Sequence, residues 1–312
     1  MGDPGRIAII GAGHVGATAA YSLMLRALFR EIVLIDRDFD LAAAEAADLA
    51  DANALARPAH IWAGSYGDAA TAQIAVITAG AATHGLETRL SVTAQSAAIV
   101  SQCLGELVDA GFTGIILVAA NPVDLMTLVA LRRSGFAAAR VIGTGTLLDS
   151  SRLRQSLAEA FHVAPGSIDG LVLGEHGDSE VAVFSAVRIA GLKMDQFCEI
   201  GQVPDLAALA TEVRTAGPRI VDGKGYTSFG VATAIVRICE VILRNERAVL
   251  PVSTLLTGQY GITDICLSLP CILGAGGVEK ILSPDLSETE ITALRASAAV
   301  LQKALATLDE TA

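Results

Sequence analysis

Aromatic residues are scarce. Phe, Tyr and Trp make up only 4% of the 312 residues, although the hydrophobic share as a whole is 52%. The core is therefore aliphatic, of the kind that parallel sheets and their covering helices use. Basic residues are also few: 22 Lys and Arg stand against 33 Asp and Glu, a net charge of -11. That balance argues against nucleic acid or an anionic membrane surface as the main partner. No run of about 20 uninterrupted apolar residues occurs, so no transmembrane helix is expected. The five cysteines form no C-x-x-C pair, are too few for a disulfide framework and read as reduced, mostly buried thiols. The opening Met1-Gly2-Asp3-Pro4-Gly5-Arg6 has no signal-peptide character, and a cytoplasmic location is expected. Repeats, low-complexity tracts and linkers are lacking too. So much apolar residue excludes a disordered chain, and the length suggests about two domains.

Strand and helix signals alternate at first. Arg6–Ile10, Glu31–Asp36, Ile74–Thr78 and Gly114–Ala119 are short aliphatic runs. Helical compositions fall between them, at His14–Leu28, Phe39–Asn53 and Ser91–Ala110. This order implies βαβ units and a parallel sheet with covered faces. After Gly143 the order changes. Helices are predicted over Asp149–Phe161, Tyr226–Asn245 and Glu288–Leu308, and strands over Val181–Ile189, Ala248–Leu256 and Ile265–Leu273. Ser287 and Glu290 make a capping box for the last helix. The stripe Ile291, Leu294, Ala298, Leu301, Leu305 and Leu308 covers one face of it and reads as packing.

Gly11-Ala12-Gly13-His14-Val15-Gly16 is G-x-G-x-x-G, directly after the first strand and opening the first helix. The first glycine permits the tight turn, the second lets pyrophosphate approach the backbone and the third lets helix and strand pack closely. The helix N-terminus offers free N–H groups to the phosphates. Asp36 follows Gly16 by 20 residues and ends the second strand, as a dinucleotide fingerprint requires. It would accept hydrogen bonds from the adenosine ribose, and its charge favours NAD over NADP; the adjacent Arg37 weakens that preference. The fold class is thus α/β: a Rossmann-type doubly wound parallel sheet over residues 1–143, then a mixed α+β domain over 144–312.

His176 stands between glycines in Leu173-Gly174-Glu175-His176-Gly177-Asp178-Ser179. Alone it is a surface turn histidine as readily as a catalyst. Asp149 and Arg152 are three apart, hence neighbours on one helix face, ordinarily a local salt bridge. Arg89 follows a glycine-flanked loop and by itself reads as a solvated arginine.

Taken together, GAGHVG, VLID, ETRL, NPVD, GTGTLLDSSRLR, LGEHGDSEV and GKGYTS, in this order, resemble the L-lactate/malate dehydrogenase family, on its bacterial L-lactate dehydrogenase side. The resemblance spans the whole chain and implies NAD as cofactor and a small 2-oxo or 2-hydroxy acid as substrate. It makes His176 the general acid, worth about 10²–10⁴-fold. Asp149 orients its imidazole and favours the charged form. Arg152 grips the substrate carboxylate as a fork, and Arg89 polarises the carbonyl and excludes water. Asn121 bonds the reacting oxygen or the nicotinamide side, and Thr227 lines the pocket. Thr78, Ala79 and Gly80 pass under the cofactor, with Tyr66 on the adenosine side. No metal is implied.

The pattern departs in two places. Six positions before Arg89, where lactate enzymes of this family carry Gln and malate enzymes Arg, stands Thr83. It has no charge for a second carboxylate, which argues against oxaloacetate, and it is shorter than Gln, leaving room for a larger side chain. Glu175 and Thr227 also look lactate-like, whereas His84 beside Thr83 could meet an acidic group if the loop bends differently. The expectation is lactate dehydrogenase activity tolerant of longer 2-oxo acids. An L-2-hydroxyisocaproate-type enzyme, a malate dehydrogenase and a non-catalytic NAD-binding protein are the alternatives. Relatives activated by fructose bisphosphate hold phosphate with an arginine and a histidine at a subunit interface. The matching positions here are Arg154 and Asp169, and a carboxylate there repels phosphate, so no such activation is expected. The family implies a homodimer or homotetramer.

Overall fold

The computed structural model describes residues 5–56, 58–81, 89–198 and 203–311. The chain starts β1 (Arg6–Ile10), α1 (His14–Leu25), β2 (Glu31–Ile35), α2 (Phe39–Asn53), β3 (His60–Ala63), α3 (Tyr66–Ala69), β4 (Ile74–Ile77), α4 (Arg89–Asp109), β5 (Ile115–Val118), α5 (Val123–Ser134) and β6 (Val141–Gly143). It continues through α6 (Leu147–Phe161), β7 (Ile168–Leu173), β8 (Val181–Ile189), β9 (Leu192–Lys193), α7 (Met194–Phe197), α8 (Leu206–Lys224), α9 (Phe229–Arg244), β10 (Ala248–Thr257), β11 (Thr263–Gly274), β12 (Gly277–Ile281) and α10 (Glu288–Thr311).

The strands of the first half are short and aliphatic because both of their faces are covered. Successive side chains of a strand point to opposite faces. Ile7 and Ile9 of β1 accordingly join a core with Ala19, Leu23 and Met24 of α1. Ala8 and Ile10 join another with Val100, Leu104 and Leu107 of α4. Helices thus lie on both faces of a parallel sheet ordered β6-β5-β4-β1-β2-β3. The C-terminal ends of its central strands therefore open at one edge, where such sheets bind ligands.

The sheet does not stop at β6. The long antiparallel pair β10–β11 joins it through Ser253 opposite Gly143, and β12 extends it to nine strands. A separate antiparallel sheet, β7-β8-β9, carries the second half's own layer. The capping box on α10 forms: Ser287 N–H and hydroxyl both reach Glu290. Leu294, Ala298, Leu301 and Leu308 of its stripe are buried against the sheet. Among the described residues, which include all five cysteines, no thiol is paired. No described helix is long and apolar enough to cross a membrane, and no described cluster could hold a metal ion.

Several boundaries differ from the sequence reading. The first helix stops at Leu25, because Ala27 takes a left-handed conformation (φ 50°). The helix expected from Tyr226 begins at Phe229, which leaves Tyr226 and Thr227 in a turn. α8 escapes the sequence reading altogether: Leu206, Leu209, Val213, Ala216 and Ile220 have helical spacing, but Gly217, Pro218 and Gly223 are poor helix formers and break the pattern, and only Val213 is buried. β3, β6 and β7 were too short or too glycine-interrupted to stand out.

Candidate active site

The turn after β1 is built on glycine. Gly11 has φ 107°, a left-handed conformation that only glycine adopts without strain, and a side chain on Gly16 would run into the Gly11 carbonyl. A Cβ on Gly13 would meet nothing within 4 Å. α1 starts at the next residue with no side-chain cap and no acidic residue in its first turn. Free N–H groups facing an open cradle suit a pyrophosphate, so the loop fits NAD. Asp36 sits beside it. Its carboxylate accepts the Ala12 N–H at 2.7 Å and the Asp38 N–H at 3.0 Å. Thr78 donates its hydroxyl to the Gly11 carbonyl at 2.7 Å, so it props the loop from below. Ala79 follows it, with its N–H on Ile10, and Gly80 is exposed at the same edge. Val15 packs against the core of that face. Tyr66 is half-buried. Burial and the Cys103 thiol bonded to it push its phenol above the ordinary range.

His14 is exposed, and its ring stacks on Tyr226 with centroids 3.8 Å apart. Lys224 Nζ stands 4.4 Å from the centroids of both Tyr226 and Phe229. The turn that carries half-buried Thr227 is thereby folded onto the phosphate loop.

The second constellation gathers on the other side of the same edge. β7 is followed by Gly174 (φ 91°), whose N–H and carbonyl bond Ser268 of β11. That anchors the turn holding His176. His176 Nδ1 lies 2.6 Å from Asp149 Oδ2, and Arg152 Nη1 donates to Asp149 Oδ1 at 2.7 Å. Asp149 is 2% exposed, His176 28% and Arg152 19%. One buried carboxylate therefore holds a nitrogen donor on each oxygen, and Nε2 is the imidazole nitrogen that Asp149 does not engage. Burial works against the charged imidazole, but Asp149, and to a lesser degree Asp124 and Glu180, outweigh it and push His176 up to about 9. Burial also works against ionised Asp149, yet His176 and Arg152 hold its carboxyl below the ordinary range.

Asn121 follows β5 and is exposed at the edge. Thr83 and the Arg89 side chain lie outside the described residues; Arg89 is the first residue of α4. A cleft of about 330 Å³ between α6 and α8 reaches Arg152 but not His176 or Asp149, so it is separate from that pair. Arg154 donates to the Gly170 carbonyl at 3.0 Å; burial pulls its pKa down and Asp169 opposes this.

Three residues went unassigned from the sequence. Asp124 takes the His176 peptide N–H at 2.8 Å. Burial and the Asp149 charge push Glu180 up to about 8 against the pull of His176, Arg214 and Arg152. Tyr226 carries the stack. All three lie inside the motifs NPVD, LGEHGDSEV and GKGYTS, which was the only signal available.

Comparison with known proteins agrees along the whole chain. Residues 5–143 match the lactate/malate dehydrogenase NAD binding domain, and residues 146–311 match the alpha/beta C-terminal domain of the same family. The L-lactate dehydrogenase of Acetivibrio thermocellus is 41% identical over 308 residues, covering 97% of each chain. That of Moorella thermoacetica is 42% identical over 310 residues, covering 98% of each. The minor L-lactate dehydrogenase of Enterococcus mundtii, in a ligand-bound crystal structure, superposes with a TM-score of 0.94 at 36% identity, over 99% of this chain and 98% of that one. A lactate dehydrogenase from a Medee basin deep-sea metagenome gives 0.95 at 34% identity, over 98% and 99%.

Proposed function

The chain belongs to the lactate/malate dehydrogenase family and is an NAD-dependent 2-hydroxy acid dehydrogenase; from that premise we propose that it interconverts pyruvate and L-lactate and also takes longer 2-oxo acids. The observation that carries this reading is the shared carboxylate of Asp149, with His176 on one oxygen and Arg152 on the other. The nicotinamide, when bound, supplies or accepts the hydride. Residues 1–143 hold the dinucleotide, and residues 144–312 bring the proton and the carboxylate grip.

In reduction, His176 donates the Nε2 proton to the carbonyl oxygen and takes it back in oxidation. Asp149 keeps the ring turned so that Nε2 faces outward. Arg152 still has N–H groups for a substrate carboxylate beside its bond to Asp149. Asn121 steadies the reacting oxygen, Arg89 polarises it from the loop, and Thr227 walls the pocket. Thr83 sets the side-chain preference. It offers no cation for a second carboxylate, and its short chain leaves space, so discrimination between neighbouring substrates is weak, since one methylene is worth only about 1–3 kcal/mol.

The kcat/KM values for pyruvate, 2-oxobutyrate, 2-oxoisocaproate and oxaloacetate test this reading. Activity on the first two or three, with little on oxaloacetate, is expected; a preference for oxaloacetate defeats it. The short Thr83 also favours a second reading, an L-2-hydroxyisocaproate-type enzyme, and the same assay separates the two.

The Arg154–Asp169 neighbourhood argues against fructose bisphosphate as an activator. Adding it should leave the KM for pyruvate unchanged. The enzyme assembles as a homodimer or homotetramer, which sedimentation would measure. Five free thiols suit a reducing, cytoplasmic compartment.

A further inference from the structure

Asp124 is a carboxylate at 1% exposure, and among the described residues no arginine or lysine is bonded to it. Burying such a group is costly unless hydrogen bonds hold it. Here Oδ2 accepts the His176 peptide N–H at 2.8 Å and Oδ1 accepts the Ser253 hydroxyl at 2.6 Å. Asp124 also lies in the first turn of α5, where the helix dipole favours a negative charge. Three elements meet at this one side chain: α5 of the nucleotide half, the catalytic turn after β7, and β10. The groups facing it are His176 and Glu175 from the turn, Ser253 from β10 and the Cys266 thiol from β11. His176 in turn faces Asp149 from α6, Asp124 from α5 and Glu180.

The same short turn carries Asn121, three residues earlier. The bond from Asp124 therefore links the residue at the nicotinamide side to the proton donor of the other half, across 52 residues of sequence.

We propose that Asp124 is a positioning residue of the site: it fixes the His176 peptide in register with Asn121, and its buried negative charge favours the protonated imidazole. This rests on His176 being the general acid.

Asp124→Asn isolates the charge. Its amide oxygen still accepts from the His176 peptide, and its NH₂ can donate to the Ser253 oxygen. In pyruvate reduction, the basic limb of the kcat/KM profile should move to lower pH by roughly one unit, a tenfold change in proton affinity. Activity lost near pH 8 should largely return near pH 6. Asp124→Ser, neutral but too short to hold the His176 peptide, should move the limb the same way on top of a general loss, and serves if the amide variant does not fold. Burial pushes the Asp124 carboxyl up to about 6 and the Ser253 hydroxyl opposes this, so Ser253→Ala should move the limb in the same direction by less than Asp124→Asn does. An unmoved limb in the neutral variants, or a loss equal at every pH, overturns the proposal. His176→Ala is the control for the premise: if it retains turnover, the acid assignment fails, whereas an inactive His176→Ala with an unmoved Asp124→Asn limb sinks the Asp124 role alone.

Discussion

His176 and Asp149 are joined at 2.6 Å through Nδ1 and Oδ2, and the buried Asp149 carboxylate favours the charged imidazole. Asp149→Asn keeps the shape and removes the charge. Turnover should fall about 10²–10⁴-fold, and what remains should follow a lower pKa. In the free wild-type enzyme, His176 is protonated below about 9, so kcat/KM for pyruvate should hold at neutral pH and decline as pH rises through about 9. In the asparagine variant the decline should begin nearer the ordinary histidine value. A pH–rate profile of both proteins checks this; superimposable limbs would contradict it.

Arg152→Lys should act mainly on substrate binding. A lysine keeps the charge but cannot present a planar fork to the substrate while also bonding Asp149. Losing one charged hydrogen bond costs about 1.5–3 kcal/mol, so KM for pyruvate should rise roughly 10- to 100-fold, with kcat less affected. Steady-state kinetics at saturating NADH reads it.

Gly13 and Gly16 should respond differently to alanine. A Cβ on Gly13 enters the open cradle, so Gly13→Ala should fold normally and bind NADH weakly. A Cβ on Gly16 collides with the Gly11 carbonyl, so Gly16→Ala must displace α1 from β1 and should lower the melting temperature. Thermal melts and NADH fluorescence titration together distinguish the two; equal melting temperatures would count against the packing argument.

Asp36→Asn should relax cofactor choice. The amide oxygen can still accept the Ala12 N–H, but the charge that repels a 2′-phosphate is gone. The ratio of kcat/KM for NADH to that for NADPH should drop by about tenfold or more, roughly 1.4 kcal/mol. An unchanged ratio would place the discrimination elsewhere.

Much of this was legible locally. The run from Arg6 to Gly16 dictates a strand, a tight turn at Gly11 and a helix, because a short continuous aliphatic run and glycine freedom act over a few residues. The neighbourhood of Asp149 and Arg152 follows from helical spacing alone, and so does the stripe on α10 from Leu294 to Leu308. α8 went unread although Leu206, Leu209, Val213, Ala216 and Ile220 have helical spacing, because Gly217 and Pro218 inside it signal a break.

The residue types at the site, and the family they resemble, were thus in the sequence by itself. Tertiary structure alone decided that Asp124 meets the His176 peptide and Ser253, and that His14 lies on Tyr226. No spacing encodes those contacts. They arise where β10 closes against β6 and the second half folds over the edge of the first, bringing together groups too far apart in the chain for any local preference to join.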